Sequence, residues 1–128
     1  MAEERKTILI VEDDADTVTY LSTLLEDAGY GTVAAGDGAQ ALQKVKASRP
    51  DLITLDINMP NKSGVSFYRD MKGSDDWKGI PIIIVTGISS DFEKFISTRR
   101  QVPPPEGYLS KPIDRDQMLS LVKKHVGS

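Results

Sequence analysis

Cysteine is absent from this 128-residue chain. That excludes a disulfide framework, a thiolate nucleophile and zinc held by thiolates. Long apolar runs are also missing. None approaches the roughly 18–20 residues that span a bilayer as a helix. The N-terminal "MAEERK" is charged and lacks the apolar stretch of a signal peptide. Basic residues are neither in excess nor clustered: 16 Lys and Arg stand against 19 Asp and Glu, a formal charge of −3. Neutralising nucleic-acid phosphates needs a concentration of Lys and Arg that this chain does not have. No linker, low-complexity tract or long internal repeat divides it, and its length suits one core. The expectation is a single cytoplasmic domain, 1–128, with no membrane insertion and no direct nucleic-acid contact.

What the chain does have is alternation. The apolar run "TILIV" (7–11) precedes a helix-period segment carrying Val18, Leu21, Leu24, Leu25 and Ala28. Gly29 closes that helix, and Gly31 opens a short strand, "TVAA" (32–35). "DGAQALQKVKAS" (37–48) is helical around Leu42 and Val45, and Pro50 ends it. Residues 52–55 read as a buried strand, followed by a helix over 64–72 with Val65, Tyr68 and Met71 on one side. After the polar turn "SDDWKG", "IPIIIV" (80–85) is the most apolar strand. A helix is expected near 91–99 with Phe92, Phe95 and Ile96 inward. "QVPPPEG" must be a loop, because its prolines cannot continue a helix. A short strand at 108–109 leads to a last helix, 114–126, carrying Met118, Leu119, Val122 and Val126.

Repeated strand–helix units argue for an α/β fold, a (βα)5 doubly wound parallel sheet with helices on both faces. The central strands are apolar throughout, as a sheet covered on both sides requires. Flavodoxin-like sheets of this kind run in strand order 2-1-3-4-5, with a switch point between strands 1 and 3. Periodicity alone leaves that order open. Ligands of such sheets bind at the carboxyl ends of the strands, and polar residues stand there. Strand 1 ends in Glu12, Asp13 and Asp14, and strand 3 in Asp56. Strand 4 ends in Thr86, and strand 5 leads into Ser110, Lys111 and Pro112. With strands 1 and 3 adjacent, the carboxylates crowd one pocket and their repulsion favours a cation. All-oxygen donors suit Mg²⁺, with Mn²⁺ able to substitute. A carboxylate beside metal and ammonium can act as the nucleophile of phosphoryl transfer.

Four segments in order, "ILIVEDDAD", "DINMPNKSG", "IIIVTG" and "GYLSKP", resemble the receiver domain of two-component response regulators, the CheY-like family. The resemblance spans essentially the whole chain. It implies that Asp56 is the phosphoacceptor and that Asp13 ligates Mg²⁺ directly. Glu12 would contribute indirectly, and Asn58 would offer its backbone carbonyl. Thr86 and Lys111 would bind phosphoryl oxygens, and the Lys111–Pro112 bond would be cis. Thr86 and Tyr108 would form the switch, while Asn58 and Ile88 occupy positions that tune dephosphorylation. The implied partners are a sensor histidine kinase or phosphotransfer protein and a downstream protein. The latter would dock on the face made by the fourth helix, strand 5 and the final helix. Such a protein is a signalling domain rather than an enzyme, although it assists its own phosphorylation and dephosphorylation.

Two alternatives share parts of this pattern. A haloacid-dehalogenase-like phosphatase also uses an aspartyl nucleophile, but its motif wants a second Asp where this chain has Asn58. An FMN-binding flavodoxin-like carrier needs a hydroxyl- and glycine-rich loop after strand 1, where this chain has three acids. Other polar residues have structural readings. Asp14 is expected to cap the first helix and Asp37 to cap or turn into the second. His125, the one histidine, complements the dipole of the last helix. Trp77 has no assigned role. The segment "RRQVPPPEG" departs from the family pattern, and Pro103–Pro105 is expected to shape a distinctive docking surface.

Overall fold

The computed structural model describes residues 6–56, 63–86 and 106–126. Its elements are β1 (Thr7–Val11), α1 (Ala15–Asp27), β2 (Gly31–Ala35), α2 (Gly38–Ala47) and β3 (Leu52–Asp56). There follow α3 (Ser63–Lys72), β4 (Ile82–Thr86), β5 (Gly107–Ser110) and α4 (Arg115–Val126). The strands form one five-stranded sheet in the order β2-β1-β3-β4-β5, and every pairing is parallel. The helix expected near 91–99, together with Asn58, Ile88 and Pro103–Pro105, lies outside the described residues.

Strand alternation builds two cores. Leu9, Val11, Ile53, Leu55, Ile82 and Ile84 meet Ala41 and Val45 of α2 and Phe67, Tyr68 and Met71 of α3. Ile8, Ile10, Leu52, Ile83 and Val85 point the other way, onto Leu21, Leu24 and Leu25 of α1 and Met118 and Val122 of α4. Successive side chains leave a strand on opposite faces, so a sheet covered twice needs apolar residues at every position. Each fully buried Leu or Ile contributes about 1.5–3 kcal/mol of apolar transfer. No helix among the described residues is long and apolar enough to cross a membrane.

Three features differ from the expected elements. The strand expected at 80–85 begins at Ile82. The Ile80 N–H donates to the Trp77 carbonyl at 3.0 Å, closing a turn, and Pro81 has no N–H for a ladder. Helix α3 buries Phe67 as well as Tyr68 and Met71, giving a wider apolar face than the spacing suggested. Trp77 does have a structural role: it packs, partly buried, against the α2–α3 core.

Local chemistry sets the helix ends. Asp14 accepts hydrogen bonds from the Thr17 N–H at 2.9 Å and the Thr17 hydroxyl at 2.7 Å. Asp37 accepts from the Gln40 N–H at 2.8 Å, while the Gln40 side chain accepts from the Gly36 N–H at 3.0 Å. This reciprocal pair is a variant of the capping box in which the Gln40 side chain takes the N–H of the residue before the cap. Asp114 caps α4 through the Gln117 N–H at 2.9 Å. Gly29 leaves α1 with φ of +101°, a conformation other residues adopt only with strain. Asp37→Ala is expected to destabilise the fold by about 1 kcal/mol. A urea titration should show a lower midpoint at unchanged slope, and an unmoved midpoint would mean that the cap is idle.

Candidate functional site

Sheet register assembles the polar strand tips. Val11 of β1 pairs with Leu55 of β3, so the next residues, Glu12 and Asp56, emerge side by side. Asp56 pairs with Val85, and Thr86 pairs with Ser110, which brings Lys111 to the same end of the sheet. Carboxylate oxygens of Glu12, Asp13 and Asp56 lie within 4.8 Å of one another. The Lys111 ammonium faces them, 3.2 Å from Glu12 Oε1 and 3.3 Å from Asp56 Oδ2. The Lys111–Pro112 peptide bond is cis.

The acids differ in environment. Glu12 is 3% and Asp56 4% exposed, whereas Asp13 faces solvent. Asp14 spends its carboxylate on Thr17, whose hydroxyl and N–H hold the Asp14 carboxyl below its ordinary pKa. The Asp14 N–H in turn donates to Glu12 Oε2 at 3.2 Å. Burial first, then the negative charge of Asp56, pushes Glu12 up to about 7, and Lys111 only partly opposes them. For Lys111, burial works against the charged form, but Asp56 and Glu12 outweigh it and hold the ammonium above the usual lysine pKa. The cluster therefore carries more negative charge than one lysine neutralises. With oxygen donors alone, it suits a hard divalent cation such as Mg²⁺.

Of the other expected site residues, Thr86 is placed by its backbone at the end of β4, and Asn58 lies outside the described residues. Tyr108 of β5 is half exposed, at 49%. His125 lies in the last turn of α4, in another part of the chain. One neighbour of the site had no signal in the sequence. Tyr20 of α1 donates its hydroxyl to the Ile113 carbonyl at 3.2 Å. With Asp16, Thr17, Lys111, Pro112 and Ile113 it lines a depression of about 410 Å³ beside the acidic cluster. Only its placement in α1, after the acidic run, could have suggested this.

The fold and the strand tips define an acidic pocket faced by a lysine at the carboxyl end of a doubly wound parallel sheet, and comparison with known proteins supplies the family. The chain belongs to the response regulator receiver domain family, whose model matches residues 8–123. It is 35% identical over 117 residues to protein Rrf1 of Nitratidesulfovibrio vulgaris, covering 91% of this chain and 80% of that one. Identity to the polar-differentiation response regulator DivK of Brucella anthropi is 32% over 122 residues, 95% of this chain and 97% of the relative. Among solved structures, the receiver domain of a Syntrophus aciditrophicus signal transduction histidine kinase superposes with a TM-score of 0.83 at 31% identity. That match covers 94% of this chain and 89% of the other. The receiver domain of a Pseudomonas aeruginosa sensor histidine kinase, described with a magnesium ion coordinated in its active-site cleft, gives 0.84 at 27% identity. Here 98% of this chain and 100% of that one are covered.

Proposed function

We propose that this receiver domain is a phosphorylation switch of a two-component system, with Asp56 as its Mg²⁺-dependent phosphoacceptor. The observation that carries the reading is the convergence of Glu12, Asp13, Asp56 and Lys111 on one end of the sheet. Mg²⁺ held by Asp13, Asp56 and the Asn58 carbonyl, with Glu12 acting indirectly, would neutralise phosphoryl oxygens, and Mn²⁺ would substitute. Asp56 ends a rigid, buried strand, which gives a nucleophilic oxygen fixed aim. A sensor histidine kinase or phosphotransfer protein presents a phosphohistidine. An Asp56 carboxylate oxygen bonds to phosphorus, the P–N bond breaks, and its electron pair stays on the imidazole. Lys111 withdraws from Glu12 and Asp56 to pair with a phosphoryl oxygen, and Thr86 hydrogen-bonds another.

The modification adds roughly −1.5 to −2 charges to the cluster. Thr86 and Lys111 read that change and Tyr108 relays it by turning inward. A downstream protein then binds the surface that includes β5 and α4 with altered affinity. The same site later admits water to hydrolyse the acyl phosphate. The setting we propose is cytoplasmic. Membership of the receiver family favours this reading over the haloacid-dehalogenase-like and flavin-carrier alternatives.

Incubation with acetyl phosphate tests it. Intact-mass spectrometry should show a gain of one phosphoryl group, stable to acid and labile to base, that disappears when EDTA removes Mg²⁺. Unchanged mass at saturating donor and Mg²⁺ would refute the proposal.

A further inference from the structure

At the opposite end of β5 from Lys111 stands a second charged cluster that the proposed chemistry does not use. Lys72, the last residue of α3, has a side chain only 2% exposed. Its ammonium lies 3.0 Å from both carboxylate oxygens of Glu106 and 5.9 Å from the centre of the buried Tyr68 ring. Glu106 Oε1 also accepts the Ile82 N–H at 2.7 Å, and the Glu106 N–H donates to the Ile82 carbonyl at 3.0 Å. Glu106 thus grips both polar groups of the first residue of β4, using its backbone for one and its side chain for the other.

β5 needs such a grip. It has four residues, Gly107–Ser110, and lies at the edge of the sheet beside β4. A short edge strand has few ladder bonds with which to choose its register. A slip of one residue would shift Lys111 by about 3.3 Å and turn Tyr108 to the other face of the sheet. Buried charged pairs are costly to desolvate, and their best-attested use is to specify register. The Lys72 ammonium, 3.0 Å away, compensates the charge of the Glu106 carboxylate.

We propose that Glu106 is a positioning residue: it fixes β5 against β4 and thereby sets Lys111 beside Asp56. The kinetic part rests on Asp56 being the phosphoacceptor; the register part does not.

Two paired replacements avoid leaving a buried charge without its partner. Lys72→Met with Glu106→Gln keeps an acceptor for the Ile82 N–H, whereas Lys72→Met with Glu106→Ala removes it. In the Ala pair, the maximal rate of acetyl phosphate labelling at saturating Mg²⁺ should fall about ten- to a hundredfold, the usual consequence of an ångström-scale misplacement. The Gln pair should restore it to within about threefold of wild type, within the ordinary scatter of such effects. Amide exchange of Tyr108 and Leu109 should accelerate in the Ala pair alone. All rates are read well below each variant's thermal midpoint, so lost stability by itself does not alter them. Equal labelling and equal exchange in the two pairs would overturn the proposal, even if both melted earlier. If wild type itself takes no phosphoryl group, the Asp56 reading fails and the β5 exchange rates alone decide the register claim.

Discussion

Asp56→Asn is expected to abolish phosphoryl uptake, reducing the acid-stable, base-labile mass gain to background. An amide of nearly the same shape occupies the strand tip but lacks the anionic oxygen that attacks phosphorus. The same change should not weaken the fold. Asp56 is buried beside Glu12, and its charge is one cause of the raised Glu12 pKa. Removing it relieves like-charge repulsion and the desolvation of one anion, while Lys111 keeps Glu12 as a partner 3.2 Å away. The thermal midpoint in metal-free buffer above pH 7 should therefore stay level or rise. Labelling is read well below that midpoint, so its loss reports lost chemistry, and a lower midpoint would mean only that the Lys111 contact outweighs the acidic repulsion. Retained labelling would move the acceptor to another carboxylate.

Features set by neighbours in the chain were legible in the sequence. Asp14 and Asp37 cap helices because an oxygen at that spacing reaches an N–H three residues on. The unbroken apolar runs of β1 and β4 required two covered faces, and the two cores provide them. The parallel crossover pattern brought Glu12, Asp13, Asp56 and Lys111 to one end of the sheet, although which acid is buried could not be read from "EDD". Glu12 continues the line of β1, its N–H donating to the Ala35 carbonyl at 3.0 Å, and so stays in the interior.

Features set by distant partners were not legible. Lys72 is four residues beyond Tyr68 and continues the buried side of α3, where a hydrophobic pattern has no place for a lysine. Its partner Glu106 is 34 residues away, and nothing local announces the pair. Phe67 widens the buried face of α3 because α2 and α3 share one core. The start of β4 moved to Ile82 because Trp77 turns inward and holds Ile80 in a turn. An apolar run records burial, not the residue at which a ladder begins.

The second large effect is a coupled dependence on pH and Mg²⁺, and its sign follows from Glu12. The ordinary pKa of this carboxyl is 4.5, and in the metal-free fold it rises to about 7. Between those values the folded state holds a proton that the unfolded chain has released, so stability falls as pH rises. This contribution is complete below pH 4.5 and gone once pH exceeds about 7. Its size is at most about 3 kcal/mol, and the attraction of Lys111 is already counted within it. Metal-free protein should therefore melt at a lower temperature at pH 8 than at pH 6, the reverse of a protein stabilised by ionised carboxylates.

Saturating Mg²⁺ should cancel the loss, because a cation rewards the ionised form that burial penalises. At a hundred times the dissociation constant, mass action alone adds about 2.7 kcal/mol. Protons and metal then compete for one cluster, so Mg²⁺ affinity should weaken roughly fivefold from pH 7 to pH 6 as a proton held at a pKa of about 7 must be displaced. Calorimetric titration in two buffers of different ionisation enthalpy counts that proton directly, and at pH 6 it should approach one per ion bound. Glu12→Gln should bind Mg²⁺ with little pH dependence over the same range and lose the proton release. If wild-type affinity were flat from pH 6 to pH 8, Glu12 would already be ionised without metal. The acidic end of the sheet would then be a solvated rim, not a site poised by its own repulsion to take a cation.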